Sequence, residues 1–407
     1  ADVALLTQLD SIAWLLNIRG ADVPRLPVLL SFATLDKDGQ VVLYTDPRKL
    51  TNDFSSHVGD GVTIQNFEEL QSALETMGNE ALKVLADPLT ANAWSQLRCL
   101  ESGAELASGT DPVLIPKSQK NQAELTGMKN CHIRDGAALS RFLHWVESEV
   151  EAGKLYDEGE LSDKLESFRM ALPDIQDLSF DTISAAGANG ALCHYNHLNG
   201  DPAKLTLNNL YLVDSGGQYL DGTTDVTRTV TIGEPSAEHR KMFTLVLKGH
   251  IALATATFPK GTGGMQLDVL ARQFLWGEGY DYDHGTGHGV GNFLSVHEGP
   301  QSIAKTGSKQ ALLPGMVLSN EPGYYKENCY GIRCENLMVV VEQDNGMLGF
   351  ETLTFAPFDL RLVDTGLLTA NEIEWLNRYH EDVRQKLSSQ LTGADLAWLQ
   401  VATQAAV

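Results

Sequence analysis

The sequence predicts an α+β protein, with a small α/β domain over residues 1–115 and a larger domain over residues 116–407. Short apolar runs and helical segments alternate through the first part, which is typical of a small α/β sandwich. The second part repeats a coarse order of helix, helix and then strands. That order favours a curved antiparallel sheet with helices outside it. The segment DPVLIPKSQKNQ, with two prolines before a polar run, marks the boundary.

In the first domain, strands and helices are separated by turn residues. The strand segments are DVALL, PVLLSFATL, VVLYTD and LKVLAD, and the helical segments are SIAWLLNIRG, FEELQSALETMGN and ANAWSQLRCL. The first two helices are expected to end near Gly20 and Gly78, because glycine commonly terminates a helix.

In the second domain, helix starts are easier to place than strand ends. A long amphipathic helix is predicted over residues 119–151, and Asp157 with Glu160 offers a capping box for the next. Ser236 is a candidate N-cap. Further helices are predicted over 236–258, 265–280 and 370–387, and strands over 183–232 and 284–358.

Composition excludes several classes of partner. The chain has 53 acidic and 30 basic residues, a formal charge of −23, which argues against nucleic acid and against anionic membrane surfaces. No apolar run reaches membrane-spanning length, and the longest is interrupted by Lys248 and His250. The N-terminus lacks signal-peptide features, and the five cysteines form no metal or disulfide pattern. We therefore expect a cytoplasmic protein with free thiols.

Two aspartates lie in the phrase YLVDSGGQYLDGTTDVTRTV. Asp214 and Asp225 are separated by an odd interval, but Gly216 and Gly217 favour a bend, so that paired strands can bring the two together. Each acid could instead cap a turn, as aspartates at strand ends often do.

The phrase HGTGHGVG places His284 and His288 among alternating glycines. Glycine weakens a strand unless something approaches its backbone closely, and so many glycines argue against a helix. We interpret one imidazole as a metal ligand and the other as a cavity wall. The alternative is a polar glycine loop with incidental histidines.

Two glutamates follow in SNEPGYY and GIRCENLMVVV. Pro322 biases Glu321 towards an extended conformation, so the acid would leave the end of a strand at a defined angle. A two-residue period puts Arg333 and Glu335 on one face of the next strand. A carboxylate in so apolar a strand is costly unless a cation partners it. That cation is a metal or, in the alternative interpretation, Arg333 itself on an exposed face.

Taken together, four carboxylates and one imidazole suit two divalent cations. Oxygen-rich ligation favours Mn²⁺, Mg²⁺ or Co²⁺, and the imidazole admits Zn²⁺. Two such ions roughly 3.5–4 Å apart characterise two-metal hydrolases. Cys193 and Cys334 are interpreted as packed thiols that strand alternation points away from the site.

These phrases resemble the aminopeptidase P family, the Xaa-Pro aminopeptidases of the pita-bread metallopeptidases, in its longer eukaryotic-like form. The resemblance extends from LDSIAWLLNIRG through AGANGALCHY and DGTTDVTRT to WLNRYH. It implies a pita-bread catalytic domain after a creatinase-like α/β domain. It also implies two metal ions, most often Mn²⁺ with Zn²⁺ or Co²⁺ as alternatives. Asp214 would bind one metal, Asp225 and Glu335 would bridge both, and His288 and Glu321 would complete the second.

The resemblance also assigns catalytic and substrate-binding roles. The nucleophile would be a metal-bridging water or hydroxide, with Glu321 handling its proton. His194 and His297 would position the scissile bond and stabilise the tetrahedral intermediate. His284 would lie near the substrate, and Arg333 would partner the metal carboxylates.

The implied activity is removal of an N-terminal residue that precedes proline, by a homodimer acting on peptides. A prolidase that cleaves only Xaa-Pro dipeptides shares the ligands and is the nearest alternative. A non-catalytic binding module is the alternative from another class, but metal-free relatives of that kind lack the ligands. Members of the longer form carry a further domain before the one seen here. The resemblance implies that this chain begins inside the second, creatinase-like domain, so that residues 1–115 are that domain incomplete at its N-terminus. The sequence has no initiator methionine, so residue 1 is not expected to be the native start.

Overall fold

A computed structural model describes residues 1–406, which fall into two units, Ala1–Lys117 and a second beginning at Ser118. The predicted α+β class is confirmed, because the first unit is mixed α/β and the second combines helices with antiparallel strands. No helix within the described residues is long and apolar enough to cross a membrane.

The first unit contains one six-stranded mixed sheet. Its elements are β1 (Val3–Leu6), α1 (Leu9–Leu15), β2 (Phe32–Asp36), β3 (Val41–Thr45), α2 (Phe54–Val58), β4 (Val62–Asn66), α3 (Glu69–Asn79), β5 (Lys83–Ala86), α4 (Ala93–Ser102), β6 (Glu105–Ser108) and α5 (Leu114–Ser118). The strand order is β4-β3-β2-β1-β5-β6. Helix α1 ends at Leu15, before the predicted Gly20, and Asn17 in the following turn has a positive φ of 51°.

The second unit contains long helices and short antiparallel strands. Its elements are α6 (Gln122–Glu151), α7 (Glu158–Met170), β7 (Ile175–Leu178), β8 (Ile183–Ala186), β9 (Asn209–Ser215), β10 (Gly217–Tyr219), β11 (Gly222–Thr223), β12 (Val226–Ile232), α8 (Ala237–Ala254), α9 (Gly264–Trp276), β13 (Gly287–Gly289), β14 (Glu298–Ile303), β15 (Val317–Asn320), β16 (Gly323–Lys326), β17 (Tyr330–Arg333), β18 (Asn336–Glu342), β19 (Leu348–Thr352), α10 (Ala370–Leu387) and α11 (Gly393–Ala402).

Side-chain caps explain where these helices begin. Asp157 and Glu160 form the predicted capping box at the start of α7, and the Ser236 side chain accepts from the backbone N–H of His239 at the start of α8. Each cap satisfies backbone N–H groups that the first helical turn leaves unpaired. Both predicted starts are therefore confirmed.

The antiparallel strands of the second unit belong to four sheets. Their orders are β12-β9-β8, β11-β10-β7, β14-β13-β15-β18-β19 and β16-β17. The apolar face of α8 packs with α10 in the core, through side chains such as Phe243, Leu247 and Leu376. Two of these sheets, the one with β9 and the one with β15, supply the acidic residues described next.

Candidate metal centre

Asp214 and Asp225 are brought together by strand pairing. Asp214 lies on β9, and Asp225 immediately precedes β12, whose residue Thr227 pairs with Asp214. The chain between them leaves this sheet, forms β10 and β11 in another, and returns. The odd spacing of the two aspartates therefore does not separate them.

Glu321 and Glu335 lie where a second strand pair is interrupted. The β15–β18 ladder stops at Asn320 opposite Asn336, and pairing resumes in β16–β17 at Gly323 opposite Arg333. GIRCENLMVVV is thus two strands, and its interpretation as one continuous strand is wrong. The reason is that the neighbouring strand segment is also interrupted at this level, at Glu321 and Pro322.

His288 projects from β13 towards the acids. Its Nδ1 is 2.9 Å from the carbonyl oxygen of Gly289, which can only accept, so Nδ1 carries the hydrogen. Nε2 is the nitrogen that faces the acids, 3.4 Å from a carboxylate oxygen of Asp225 and of Glu321. A neutral imidazole with its hydrogen on Nδ1 binds a metal through Nε2.

The glycines around His288 are required by close backbone packing. A Cβ at Gly287 would lie 2.1 Å from the carbonyl oxygen of Ser319, and one at Gly289 would lie 2.3 Å from that of Glu298. Neither contact is sterically tolerable. The expectation that something approaches this backbone closely is confirmed.

Hydrogen bonds from neighbouring side chains orient the carboxylates. Thr227 donates to Glu335 at 2.7 Å and Ser319 donates to Glu321 at 3.1 Å. Arg333 donates to Oδ2 of Asp214 at 2.6 Å. Oδ1 of Asp214 is buried and has no hydrogen-bond partner.

The electrostatics of this cluster call for cations. Burial raises the pKa of Asp225 and of Glu335 well above the usual carboxyl range, and repulsion from neighbouring carboxylates raises it further. Burial also raises the pKa of Glu321. One ligand atom from each of Asp225, His288 and Glu335 lies within 4.8 Å of the others. This set, with the unpartnered oxygen of Asp214, fits divalent cations bound mainly by oxygen.

Three further histidines and an arginine surround the acids. His284 contacts the Tyr325 hydroxyl at 2.7 Å through Nε2, and burial lowers its pKa to about 3. Loss of solvent around its ring lowers the pKa of His297 to about 4, although the residue as a whole is exposed, and its ring centroid lies 4.2 Å from that of His288. His194 is exposed as well.

All nine residues singled out in the sequence line one cavity of about 680 Å³. They are His194, Asp214, Asp225, His284, His288, His297, Glu321, Arg333 and Glu335. The prediction for Cys193 is wrong, because this thiol also lines the cavity; it lies in a turn, where strand alternation does not apply. Cys334 is packed in the core, as predicted.

Sequence reasoning missed several residues of the site. Tyr325 bridges His284 and Arg333, with a 2.8 Å hydrogen bond to the latter, and Phe180 and Ile183 form apolar cavity wall. Tyr325 belongs to the phrase EPGYY, but the local sequence does not indicate which of its two tyrosines faces His284. Thr227 contacts Glu335 from 108 positions away, which leaves no local signal. Ser319 lies only two residues before Glu321 in the phrase SNEPGYY, and its role was overlooked.

Comparison with known proteins identifies the family. The model of metallopeptidase family M24 matches residues 126–342, which is more than half of the chain. The chain belongs to metallopeptidase family M24. Its residues 1–124 match the Creatinase/Prolidase N-terminal domain, and residues 346–406 match the C-terminal region of M24 peptidases. The predicted creatinase-like and pita-bread architecture is confirmed.

Two curated relatives of this M24 chain carry the same description. Probable Xaa-Pro aminopeptidase P of Tuber melanosporum is 44% identical over 94% of the chain and 65% of that protein. The protein of the same description from Sclerotinia sclerotiorum is 44% identical over 97% of the chain and 69% of that protein. The chain thus spans about two thirds of the length of these relatives.

Solved structures agree with the family assignment. X-prolyl aminopeptidase from Caenorhabditis elegans, described as a cytosolic enzyme with a di-nuclear active site, covers the M24 chain fully with a TM-score of 0.94 and 39% identity; the match spans 68% of that chain. Xaa-Pro dipeptidase from Bacillus anthracis has a TM-score of 0.71 at 24% identity, over 88% of this chain and 94% of its own, and shares the fold.

Proposed function

We propose that this M24 chain is a metal-dependent aminopeptidase that removes the N-terminal residue from peptides with proline at the second position. The observation that carries the proposal is the convergence of all nine predicted residues on one cavity. The descriptions of the Tuber and Caenorhabditis relatives support the same substrate class.

The five proposed ligands would hold two divalent cations. Asp214 would bind one, Asp225 and Glu335 would bridge, and His288 and Glu321 would complete the second. The di-nuclear site named for the Caenorhabditis enzyme supports a pair of ions, and we infer Mn²⁺, with Zn²⁺ or Co²⁺ as alternatives. When bound, such ions supply a nucleophile at neutral pH and polarise the scissile carbonyl.

The side chains around the ligands would handle protons and orientation. Glu321, whose pKa burial raises, is suited to hold a proton during the reaction. His297 is neutral at pH 7, since its pKa is lowered to about 4, and a neutral imidazole N–H can donate to a substrate oxygen. Arg333 fixes Asp214 at 2.6 Å, and His194 lies at the exposed side of the cavity.

A peptide bond to proline is a special substrate. Its nitrogen carries no hydrogen, so a peptidase that requires a hydrogen bond from that position binds it poorly. Nothing in the proposed roles of Glu321, His194 or His297 requires that N–H. Proline at the second position is therefore compatible with this site.

Three peptides test the specificity. With Mn²⁺ present, we expect the enzyme to release the first residue of an Xaa-Pro-Pro tripeptide and to leave the matched Xaa-Ala-Ala tripeptide uncleaved. Product release is measured by chromatography, with an Xaa-Pro dipeptide as the third substrate. Turnover of the dipeptide alone would assign a prolidase instead. No turnover together with no metal uptake would assign a binding module.

We also infer a cytoplasmic homodimer. Met265, Val269 and Trp276 share one face of α9 and are 42%, 42% and 45% exposed, as expected of an interaction surface. We expect Trp276→Glu to convert a dimer to a monomer, measured by light scattering. A monomeric unsubstituted protein would contradict this.

The cytosolic description of the Caenorhabditis enzyme supports a cytoplasmic location for this protein, which cell fractionation tests.

A further inference from the structure

His250 is a fully buried histidine on α8 to which the proposed function gives no role. It is 0% exposed and lies in the apolar run that it interrupts in the sequence. A buried imidazole is costly unless both of its nitrogens find partners. The partners of His250 are residues that adjoin the two proposed glutamate ligands in the chain.

The Nδ1 atom of His250 joins two strand segments. It lies 3.1 Å from the carbonyl oxygen of Asn320 and 3.1 Å from that of Cys334. Carbonyl oxygens only accept, so Nδ1 carries a hydrogen and donates to both. Asn320 directly precedes Glu321, and Cys334 directly precedes Glu335.

The Nε2 atom is held as an acceptor. It lies 3.3 Å from Nδ2 of Asn336, the residue after Glu335. The amide oxygen of Asn336 accepts from Arg228 at 2.8 Å, and a guanidinium can only donate. The amide nitrogen therefore faces His250, which fixes the neutral tautomer with its hydrogen on Nδ1.

The position of His250 coincides with the break in strand pairing. The β15–β18 ladder ends at Asn320 and Asn336, and two residues on each segment separate it from the pair of Gly323 and Arg333 in β16–β17. Both glutamates lie inside this break. The Asn320 side chain also donates to the backbone oxygen of His250 at 2.9 Å, so α8 contacts the break through two groups.

We propose that His250 is a positioning residue: by bridging the carbonyls that precede Glu321 and Glu335, it sets the separation of these two carboxylates for binding a pair of divalent cations. The inference rests on the proposed function, which assigns the two glutamates as ligands. Outer groups that orient metal ligands typically change metal affinity or activity by about 10–100-fold when removed.

The test measures Mn²⁺ affinity by calorimetric titration, independently of activity. We expect His250→Leu to weaken Mn²⁺ binding by about 10–100-fold. His250→Asn, whose amide nitrogen can replace Nδ1–H, should retain most of the affinity. The matched control is His380→Leu, which removes another fully buried imidazole, one that accepts from the backbone of Phe358 at 3.1 Å. It should leave the affinity unchanged.

The outcomes separate this inference from the proposed function. If the unsubstituted protein binds two equivalents and His250→Leu binds them as tightly, the role of His250 is refuted and the two-metal site stands. If the unsubstituted protein binds no metal, both are refuted. Should His250→Leu fail to fold, His250→Asn is compared with His250→Gln, whose amide reaches the Nε2 position instead. Equal affinities in that pair would overturn the proposal.

Discussion

Glu321→Gln is expected to lower turnover of an Xaa-Pro-Pro peptide by roughly 10²–10⁴-fold, the usual contribution of a positioned acid or base. Glutamine keeps the volume of the side chain but cannot accept and release a proton at this position. It also weakens the negative field 3.4 Å from Nε2 of His288. Steady-state kinetics at saturating Mn²⁺ measure the effect on kcat.

The matched control for Glu321→Gln is Glu342→Gln. Glu342 ends β18 on the surface, where it pairs with Lys260 at 2.7 Å, so its replacement should leave turnover unchanged. Thermal unfolding of both variants establishes that they are folded. Turnover of Glu321→Gln equal to that of the control would remove Glu321 from the proposed mechanism.

Removing the metal is expected to abolish activity and to lower the melting temperature. Cations that bind only the folded protein stabilise it by about 2.7 kcal/mol when present at about 100 times their dissociation constant. The carboxylates Asp225, Glu321 and Glu335 gain from them, because each loses solvent on folding. Activity and melting temperature are measured after chelation and again after adding Mn²⁺. Full activity in metal-free protein would contradict the proposal.

The stabilisation by metal should grow as the pH rises. In the metal-free protein the folded-state pKa values of these three acids are raised. Their favourable contribution is therefore present below the unfolded carboxyl pKa, about 4, and is lost as the pH rises towards the raised folded values. Cations bind the ionised carboxylates and offset that loss. Melting curves with and without Mn²⁺ at several pH values check this, and a metal-induced shift that shrinks with pH would contradict it.

Much of the fold could be predicted because helix starts are local features. The caps at Asp157 and Ser236 act over three residues, and the helix Ala370–Leu387 was predicted with the same bounds. Strands were harder. Strand β4 has a mixed burial pattern without regular alternation, and β6 is only four residues long, so neither was predicted.

The candidate ligands could be predicted because each lies in a distinctive phrase, whereas their supports could not. In the sequence, His250 stands out only as a polar residue in an apolar run. Its hydrogen bonds reach residues 70 and 84 positions away, which no local pattern specifies. The break at Cys334 and Glu335 was missed for the same reason, since it depends on where the partner strand ends.

In the chain, one acidic pair precedes helices α8 and α9, and the other pair follows them. Asp214 and Asp225 lie on the sheet formed before these helices, and Glu321 and Glu335 follow them. Closing so long a loop is an entropic cost that precedes any contact between the pairs. We therefore expect the complete ligand set to form late in folding. Interactions absent from the transition state change the unfolding rate and leave the folding rate nearly unaltered. Bound cations would thus lengthen the lifetime of the native state without speeding its formation.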